Sequence, residues 1–179
     1  AEGFRWRDVF GALRLMELGG EVIGGCFFLD VPGPQFATPR ALALLRRAGW
    51  PDPDAVWWLS AADPASACGL GLEALRGVLP RRLPSTHLVY RGAAPVLISR
   101  RGGKELSIQV PPDAPELDRY LAVLGHLLGR SFRPVSRVPV EQINDEPAAT
   151  SPYLPALRRV FEAGVEFRHV VLYNSRRVD

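Results

Sequence analysis

One segment of the sequence approaches a nucleotide-binding motif. A phosphate-binding Walker A loop needs the pattern G-x-x-x-x-G-K followed by a Ser or Thr hydroxyl that binds the metal. Residues 102–105 read Gly-Gly-Lys-Glu, so a carboxylate stands where the hydroxyl belongs. Strand-like segments lie on both sides, and the pattern therefore predicts a hairpin turn. We expect neither ATPase activity nor a bound cofactor in this chain.

Two acidic segments have the residue type that a base-excising enzyme uses, because one carboxylate can activate water against a flipped base. Asp63 precedes Pro64, and Asp145 lies beside Glu146 just ahead of Pro147. In such turns an Asp side chain commonly bonds to its own backbone. We therefore interpret both aspartates as turn formers and predict no catalytic residue.

Residue types that bind metals are scattered along the chain. They are His87, His126, His169, Cys26 and Cys68. Their spacing matches neither a zinc site nor a disulfide framework, which indicates a reducing compartment and no metal. The composition, 47% hydrophobic and 23% charged, is typical of a soluble globular protein. No apolar run approaches membrane length, so we expect a cytoplasmic protein with no membrane partner.

The placement of the basic residues suggests binding more than the net charge of +3 does. Seven residues form the predicted nucleic-acid-binding set: Arg5, Trp6, Arg7, Arg91, Arg100, Arg101 and Lys104. The first three begin a predicted helix, and the last four flank two predicted hairpin turns, which we expect to gather them on one edge. Cations at such positions contact phosphates, and a nearby aromatic ring stacks on an unpaired base. The alternative is that the turn charges are solvated and Trp6 belongs to the core.

The first 49 residues resemble the second half of a winged helix. Apolar residues at helical spacing predict a helix over 6–18, which a glycine pair ends. Strand-like residues 21–23 and 26–29 flank a second glycine pair and predict a hairpin, to which 35–37 can add a strand. A Thr-Pro pair predicts the start of a helix over 39–48. Further helices normally cover the apolar stripe of a winged helix, so we expect 1–49 to be a fragment.

Residues 50–179 are predicted to form a separate α+β module. Two prolines within 50–54 break the structure, and we place the domain boundary there. Predicted strands follow at 55–60, 86–91, 94–100, 104–110, 135–143 and 165–173, and predicted helices begin at a capping box, Asp113 with Glu116, and at Ser151. We expect a curled antiparallel sheet or a partly closed β-barrel with packed helices. Trp57 and Trp58 point to opposite faces of one strand, which predicts one core ring and one surface ring.

Several motifs occur in an order that resembles a known family. They are EVIGGCF at 21–27, GPQFATP at 33–39, ALLR at 43–46, SAADP at 60–64, LVYRGAAPV at 88–96, VEQINDEPA at 140–148 and VVLY at 170–173. Together they resemble the C-terminal accessory region of Lhr (large helicase-related) proteins, which are DEAD/DEAH-box helicases. Cys26 stands where that family often has Arg, and Pro34 replaces an acidic residue. These departures put wing contacts to DNA in doubt.

The resemblance implies a nucleic-acid-binding accessory module of an ATP-dependent helicase. The parent protein would move 3′ to 5′ along one strand, act in DNA repair, and use ATP and Mg²⁺ in motor domains outside this chain. The implied partners are single-stranded DNA or a tailed duplex, together with those motor domains. Two alternatives stay open: a DNA glycosylase-like base-excision module, and a protein-interaction module whose arginines are incidental.

Overall fold

The chain divides into two compact units. The computed structural model describes residues 5–29, 31–49, 52–129 and 135–173. One unit is Ala1–Pro51 with Leu72–Ala74, and the other comprises Asp52–Gly71 and Leu75–Asp179. Trp50 and Pro51, where the sequence places the domain boundary, lie outside the described residues, so that boundary stays a prediction.

The N-terminal unit begins with two helices of the predicted lengths and a small sheet. Its elements are α1 (Trp6–Leu18), β1 (Ile23–Gly25), β2 (Gln35–Ala37) and α2 (Pro39–Ala48). The Thr38 hydroxyl caps α2 by accepting a hydrogen bond from Ala41 N at 3.2 Å. Gly49 ends the same helix with a left-handed φ of 64°. The predictions of both helices are confirmed. They could be made from the sequence because the start and stop signals lie within a few residues of each helix end.

The predicted hairpin of 21–23 with 26–29 is wrong. β1 pairs instead with β2, with Gly24 opposite Phe36. The cause is the Gln35 side chain: its Oε1 accepts from Phe27 N at 2.7 Å and from Phe28 N at 2.8 Å, and its Nε2 donates to Phe28 O at 2.8 Å. The backbone groups that the predicted strand needed are therefore already bonded. Residues 26–29 and 31–34 lie in the loop between β1 and β2, which we call the wing.

The N-terminal unit exposes most of its apolar side chains. No residue of α1 or α2 is buried, and among residues 5–29 and 31–49 the one buried hydrophobic side chain is Val22. Trp6 is 59% exposed among the described residues. The large exposed apolar residues of this unit are Trp6, Leu15, Leu18, Ile23, Phe28, Leu29, Leu44 and Leu45.

The second unit contains two open sheets and two helices in its described residues. Its elements are β3 (Val56–Ser60), a 3₁₀ turn (Glu73–Leu75) that begins in the residues assigned to the other unit, β4 (His87–Arg91), β5 (Ala94–Arg100), β6 (Glu105–Ile108), α3 (Leu117–Gly129), β7 (Arg137–Val140), β8 (Gln142–Ile143), β9 (Glu146–Pro147), a 3₁₀ turn (Ala148–Thr150), α4 (Leu154–Val160), β10 (Glu162–Glu166) and β11 (His169–Tyr173). The six-stranded sheet has the order β3-β4-β5-β6-β8-β9, and the three-stranded sheet has the order β10-β11-β7.

The predicted meander is confirmed as β4, β5 and β6, which pair antiparallel in sequence order. The larger sheet is not purely antiparallel, because β6 and β8 pair in parallel. Neither sheet closes within the described residues, so the barrel alternative is not supported. The fold class is α+β with open sheets.

Three predicted elements of this unit differ from the structure. The strand over 135–143 divides, because Glu141 N donates to Lys104 O at 2.7 Å and the chain passes there from β7 in one sheet to β8 in the other. The strand over 165–173 is the second half of a hairpin whose turn has Phe167 at φ 56°. α3 begins at Leu117 rather than at an Asp113 cap, because the proline that follows Ala114 disfavours helical backbone at that residue.

The main core lies between the sheets and α3 and α4. The predicted stripe of α3 is buried, and its Leu117, Leu121 and Leu124 are completely inaccessible. Replacing such a leucine with alanine typically costs about 2–5 kcal/mol. A smaller cluster covers the opposite face of the β3–β5 region and includes Leu88 and Ile98. Adjacent strand residues thus face two different cores, and both faces of β4 and β5 are fixed.

Membrane insertion through a helix finds no support in the described residues, since each helix there is too short or too polar to cross a bilayer.

Candidate nucleic-acid interface

The turn between β5 and β6 carries three of the predicted cations. We call residues 100–104 the basic turn. Its residues Arg101, Gly102 and Gly103 all have left-handed φ, at 52°, 70° and 98°. Two glycines in sequence allow this at little cost. A Cβ on Gly103 would collide with the Val138 side chain, so the turn requires glycine at this position. The segment whose sequence approaches a Walker loop is therefore a tight hairpin turn.

Each cation of the basic turn has a partner. The Arg100 guanidinium donates to Ser107 Oγ at 2.7 Å, which holds this side chain along the sheet. The Arg101 guanidinium donates to Glu105 Oε1 at 2.7 Å and to Glu141 Oε2 at 3.2 Å. The Lys104 ammonium donates to Glu141 Oε1 at 2.8 Å. Three cations and two carboxylates leave this group with a formal charge of +1.

These ion pairs lie at the surface. The Arg101 and Lys104 side chains are 56% and 38% exposed, and Glu141 is 36% exposed. The hydrogen bond from Lys104 lowers the pKa of the Glu141 carboxyl, and the charges of Lys104, Arg101 and His169 act in the same direction. The hydrogen bond to Glu105 raises the pKa of Arg101. Arg101 and Glu141 are therefore charged at neutral pH, and surface ion pairs of this kind are weak enough for a phosphate to displace the carboxylate.

Arg91 lies at the opposite end of the meander. Arg91 pairs with Ala94 at the start of β5, whereas Arg100 at its end pairs with Glu105. A strand of seven residues is about 20 Å long at roughly 3.3 Å per residue. The Arg91 guanidinium also bonds to Asp54 Oδ1 at 2.6 Å, and this bond raises its pKa. The expectation that all four cations converge is therefore wrong for Arg91.

Arg5, Trp6 and Arg7 lie at the start of α1 in the N-terminal unit. Arg5 is the N-cap residue, with extended backbone, and all three are exposed. The Trp6 ring stands 6.2 Å from the Phe10 ring, which in turn contacts Phe36 edge-on at 6.0 Å. The indole is thus supported on one side and accessible on the other.

The wing has an apolar surface rather than a basic one. The sequence of 26–34 contains no Arg or Lys. Phe28 and Leu29 are 62% and 90% exposed. The wing therefore offers no cation to a phosphate. This agrees with the sequence, which has Cys26 where the resembled family often has Arg.

Both tryptophans of β3 are partly exposed, at 41% for Trp57 and 40% for Trp58, so the prediction of one core ring is wrong. Trp57 stacks on Tyr90 with ring centroids 4.3 Å apart, and Trp58 contacts the ring of His126 at 4.4 Å. Neither aromatic contact nor the pairing of Glu141 with the basic turn was predicted. Each joins residues more than thirty positions apart, and no local pattern signals such a pair.

The acidic candidates behave as turn residues. Asp63 Oδ1 accepts a hydrogen bond from Ala65 N at 2.8 Å. Asp145 follows Asn144 in the turn from β8 to β9, and both have left-handed φ. Asn144 also bonds both backbone groups of Ile108. In the part of the chain that the structure describes, no three His, Cys, Asp or Glu side chains converge as a metal site.

Comparison with known proteins identifies the N-terminal region. Residues 2–57, just under a third of the chain, match the family model of the winged-helix domain of large helicase-related protein. No curated protein sequence matches this chain. The match confirms, for residues 2–57, the family recognition made from the sequence motifs.

Proposed function

We propose that this chain, a C-terminal region of an Lhr-type helicase, is the nucleic-acid-binding accessory part of an ATP-dependent enzyme that moves 3′ to 5′ on DNA and acts in repair. The motor domains, with their ATP and Mg²⁺, belong to the parent protein outside this chain. The observation that carries the proposal is the basic turn, where two exposed cations stand beside each other on a rigid hairpin. The partner is single-stranded DNA or the tail of a duplex.

The basic turn suits phosphate binding because of how its cations are held. Arg100 is fixed by Ser107, so it positions the end of β5 and stays along the sheet. Arg101 and Lys104 have carboxylate partners at the surface, and a phosphate oxygen can replace Glu141 without unfolding the turn. Neutralising phosphates releases counterions, and this drives binding irrespective of base sequence. The basic turn therefore binds the phosphate backbone of the nucleic acid and does not discriminate between bases.

The N-terminal unit supplies a second set of contacts in this proposal. Arg5 and Arg7, the exposed sequence neighbours of Trp6, offer guanidinium groups, and the exposed Trp6 ring can stack on an unpaired base. The apolar wing, with its exposed Phe28 and Leu29, also favours a second candidate function, a protein-interaction module. The glycosylase alternative gains no support, because Asp63 and Asp145 serve turns.

The test is the salt dependence of single-strand binding by the full chain of 179 residues. Replacing Arg101 and Lys104 together by Ala removes up to two phosphate contacts, each contributing a slope of about −0.7. The slope of log affinity against log salt should therefore flatten by about 1.4 units, with affinity falling about 25-fold near 0.1 M salt.

The matched control is Arg119→Ala with Arg159→Ala. These arginines are 61% and 52% exposed and pair with Glu116 and Asp118, so the control removes the same charge from helix surfaces. Fluorescence anisotropy with a labelled oligonucleotide measures both. Equal slopes for the two double variants would contradict a phosphate contact at the basic turn.

A further inference from the structure

A cavity opens on the face of the six-stranded sheet opposite α3. Its volume is about 290 Å³, close to the lower end, roughly 300 Å³, of the range for ligand pockets. Its walls come from β3, β4, the start of β5 and the loops before β4, and they include Trp57, Leu59, Leu79, Tyr90, Ala93 and Pro95. We call it the aromatic pocket. Its size and apolar walls suit one flat ring.

The two aromatic rings of this pocket form a rigid platform. Trp57 and Tyr90 lie parallel within 7°, with centroids 4.3 Å apart. Trp57 Nε1 donates to Gly92 O at 2.8 Å, and Gly92 N donates to Ala55 O at 2.8 Å. A Cβ on Gly92 would press on the Pro53 backbone, so this turn is closely packed. The indole is held in one orientation before any ligand arrives, and little ordering entropy is lost on binding.

A cation in the loop beside the pocket favours an anionic ligand. Arg82, in the loop that leads to β4, donates to the carbonyl oxygens of Ala62 and Asp63, so its charge is not neutralised by these partners. An apolar peptide would gain nothing from the Arg82 charge. A polymer that joins flat rings to negative charges would gain from both.

We propose that the aromatic pocket receives one unstacked base of a single strand, with the base ring against the exposed face of Trp57. This inference rests on the proposed function and adds to it a site for the base, separate from the phosphate contacts of the basic turn. Aromatic stacking accepts any base, because every base has a π-face. The pocket would therefore hold a strand without sequence preference.

The experiment compares binding of two labelled strands, oligo(dT) and a fully abasic strand of the same length, to the full chain. Trp57→Ala should weaken oligo(dT) binding about tenfold, within the range measured for one stacked base, and leave the salt slope unchanged. Trp57→Phe should retain most of the affinity. Trp58→Ala is the matched control, because this ring is equally exposed on the other face of β3, and it should change binding less than about twofold.

The abasic strand separates the two hypotheses. The wild type should prefer oligo(dT) to the abasic strand, and Trp57→Ala should lose most of that preference. If the wild type binds neither strand, the proposed function fails. If the wild type binds both strands equally and Trp57→Ala binds like the wild type, phosphate contacts suffice and the pocket inference is overturned while the proposed function stands.

A second variant guards against misfolding of Trp57→Ala. Ala93 lies exposed in the turn after β4 and lines the pocket, so Ala93→Leu fills the cavity without removing a core side chain. It should weaken oligo(dT) binding and leave abasic-strand binding unchanged. Undiminished oligo(dT) binding by Ala93→Leu would overturn the inference. An apolar peptide that binds in the aromatic pocket without displacing the oligonucleotide would also overturn the inference.

Discussion

In the proposed phosphate site, Glu141 would compete with a phosphate for Arg101 and Lys104, so removing its charge should strengthen DNA binding. The carboxylate accepts from Lys104 at 2.8 Å and from Arg101 at 3.2 Å. In Glu141→Gln, Arg101 keeps its bond to Glu105 at 2.7 Å, whereas Lys104 loses the carboxylate that holds it. One cation is therefore released, and the charge of the basic turn rises from +1 to +2.

The magnitude follows from counterion release. One additional single-strand contact steepens the slope of log affinity against log salt by about 0.7 units, which corresponds to about fivefold tighter binding near 0.1 M salt. Titrations of a labelled single strand at several salt concentrations, followed by fluorescence anisotropy, give both numbers. The single-strand affinities of the wild type and of Glu141→Gln should converge near 1 M salt, where counterion release contributes little.

A global charge effect has to be separated from a local one. Asp118→Asn changes the net charge by the same amount and releases Arg159, whose guanidinium bonds both oxygens of the Asp118 carboxylate. This control should alter the slope much less than Glu141→Gln does. If both variants steepen the slope equally, or neither does, then the basic turn does not contact phosphates.

Two further predictions concern the wing and the titration of Glu141. Gln35→Ala removes the side chain that bonds the wing backbone, so the free energy of local opening should fall by about 1–3 kcal/mol. Hydrogen exchange should show the amides of Phe27 and Phe28 losing protection. Unchanged protection in Gln35→Ala would mean that another contact shapes the wing. The folded-state pKa of Glu141 lies below its ordinary value of 4.5, so its ion pairs stabilise the fold above about pH 4.5 and are lost as the pH falls through the lowered pKa. The urea midpoint of the wild type should exceed that of Glu141→Gln at neutral pH, and the two should meet in acid; a difference that persists at low pH would contradict this assignment.

The sequence by itself determined the elements whose signals are local. α1 and α2 have the predicted bounds because helical spacing, the Thr38 cap and the flanking glycines all lie within one or two turns of the helix ends. The meander follows in the same way from alternating strands and short glycine turns. The family recognition also came from short motifs, and the match over 2–57 confirms it.

The tertiary structure alone decided which distant residues meet. Gln35 occupies the backbone of the wing, Glu141 lies against the basic turn, and Trp57 stacks on Tyr90. It also separated Arg91 from the other cations, because consecutive hairpin turns lie at opposite ends of the strand they share. A hydrogen bond or a stacked pair stabilises whichever partners the chain path brings together, and that path depends on the packing of whole strands and helices rather than on any pattern of a few residues.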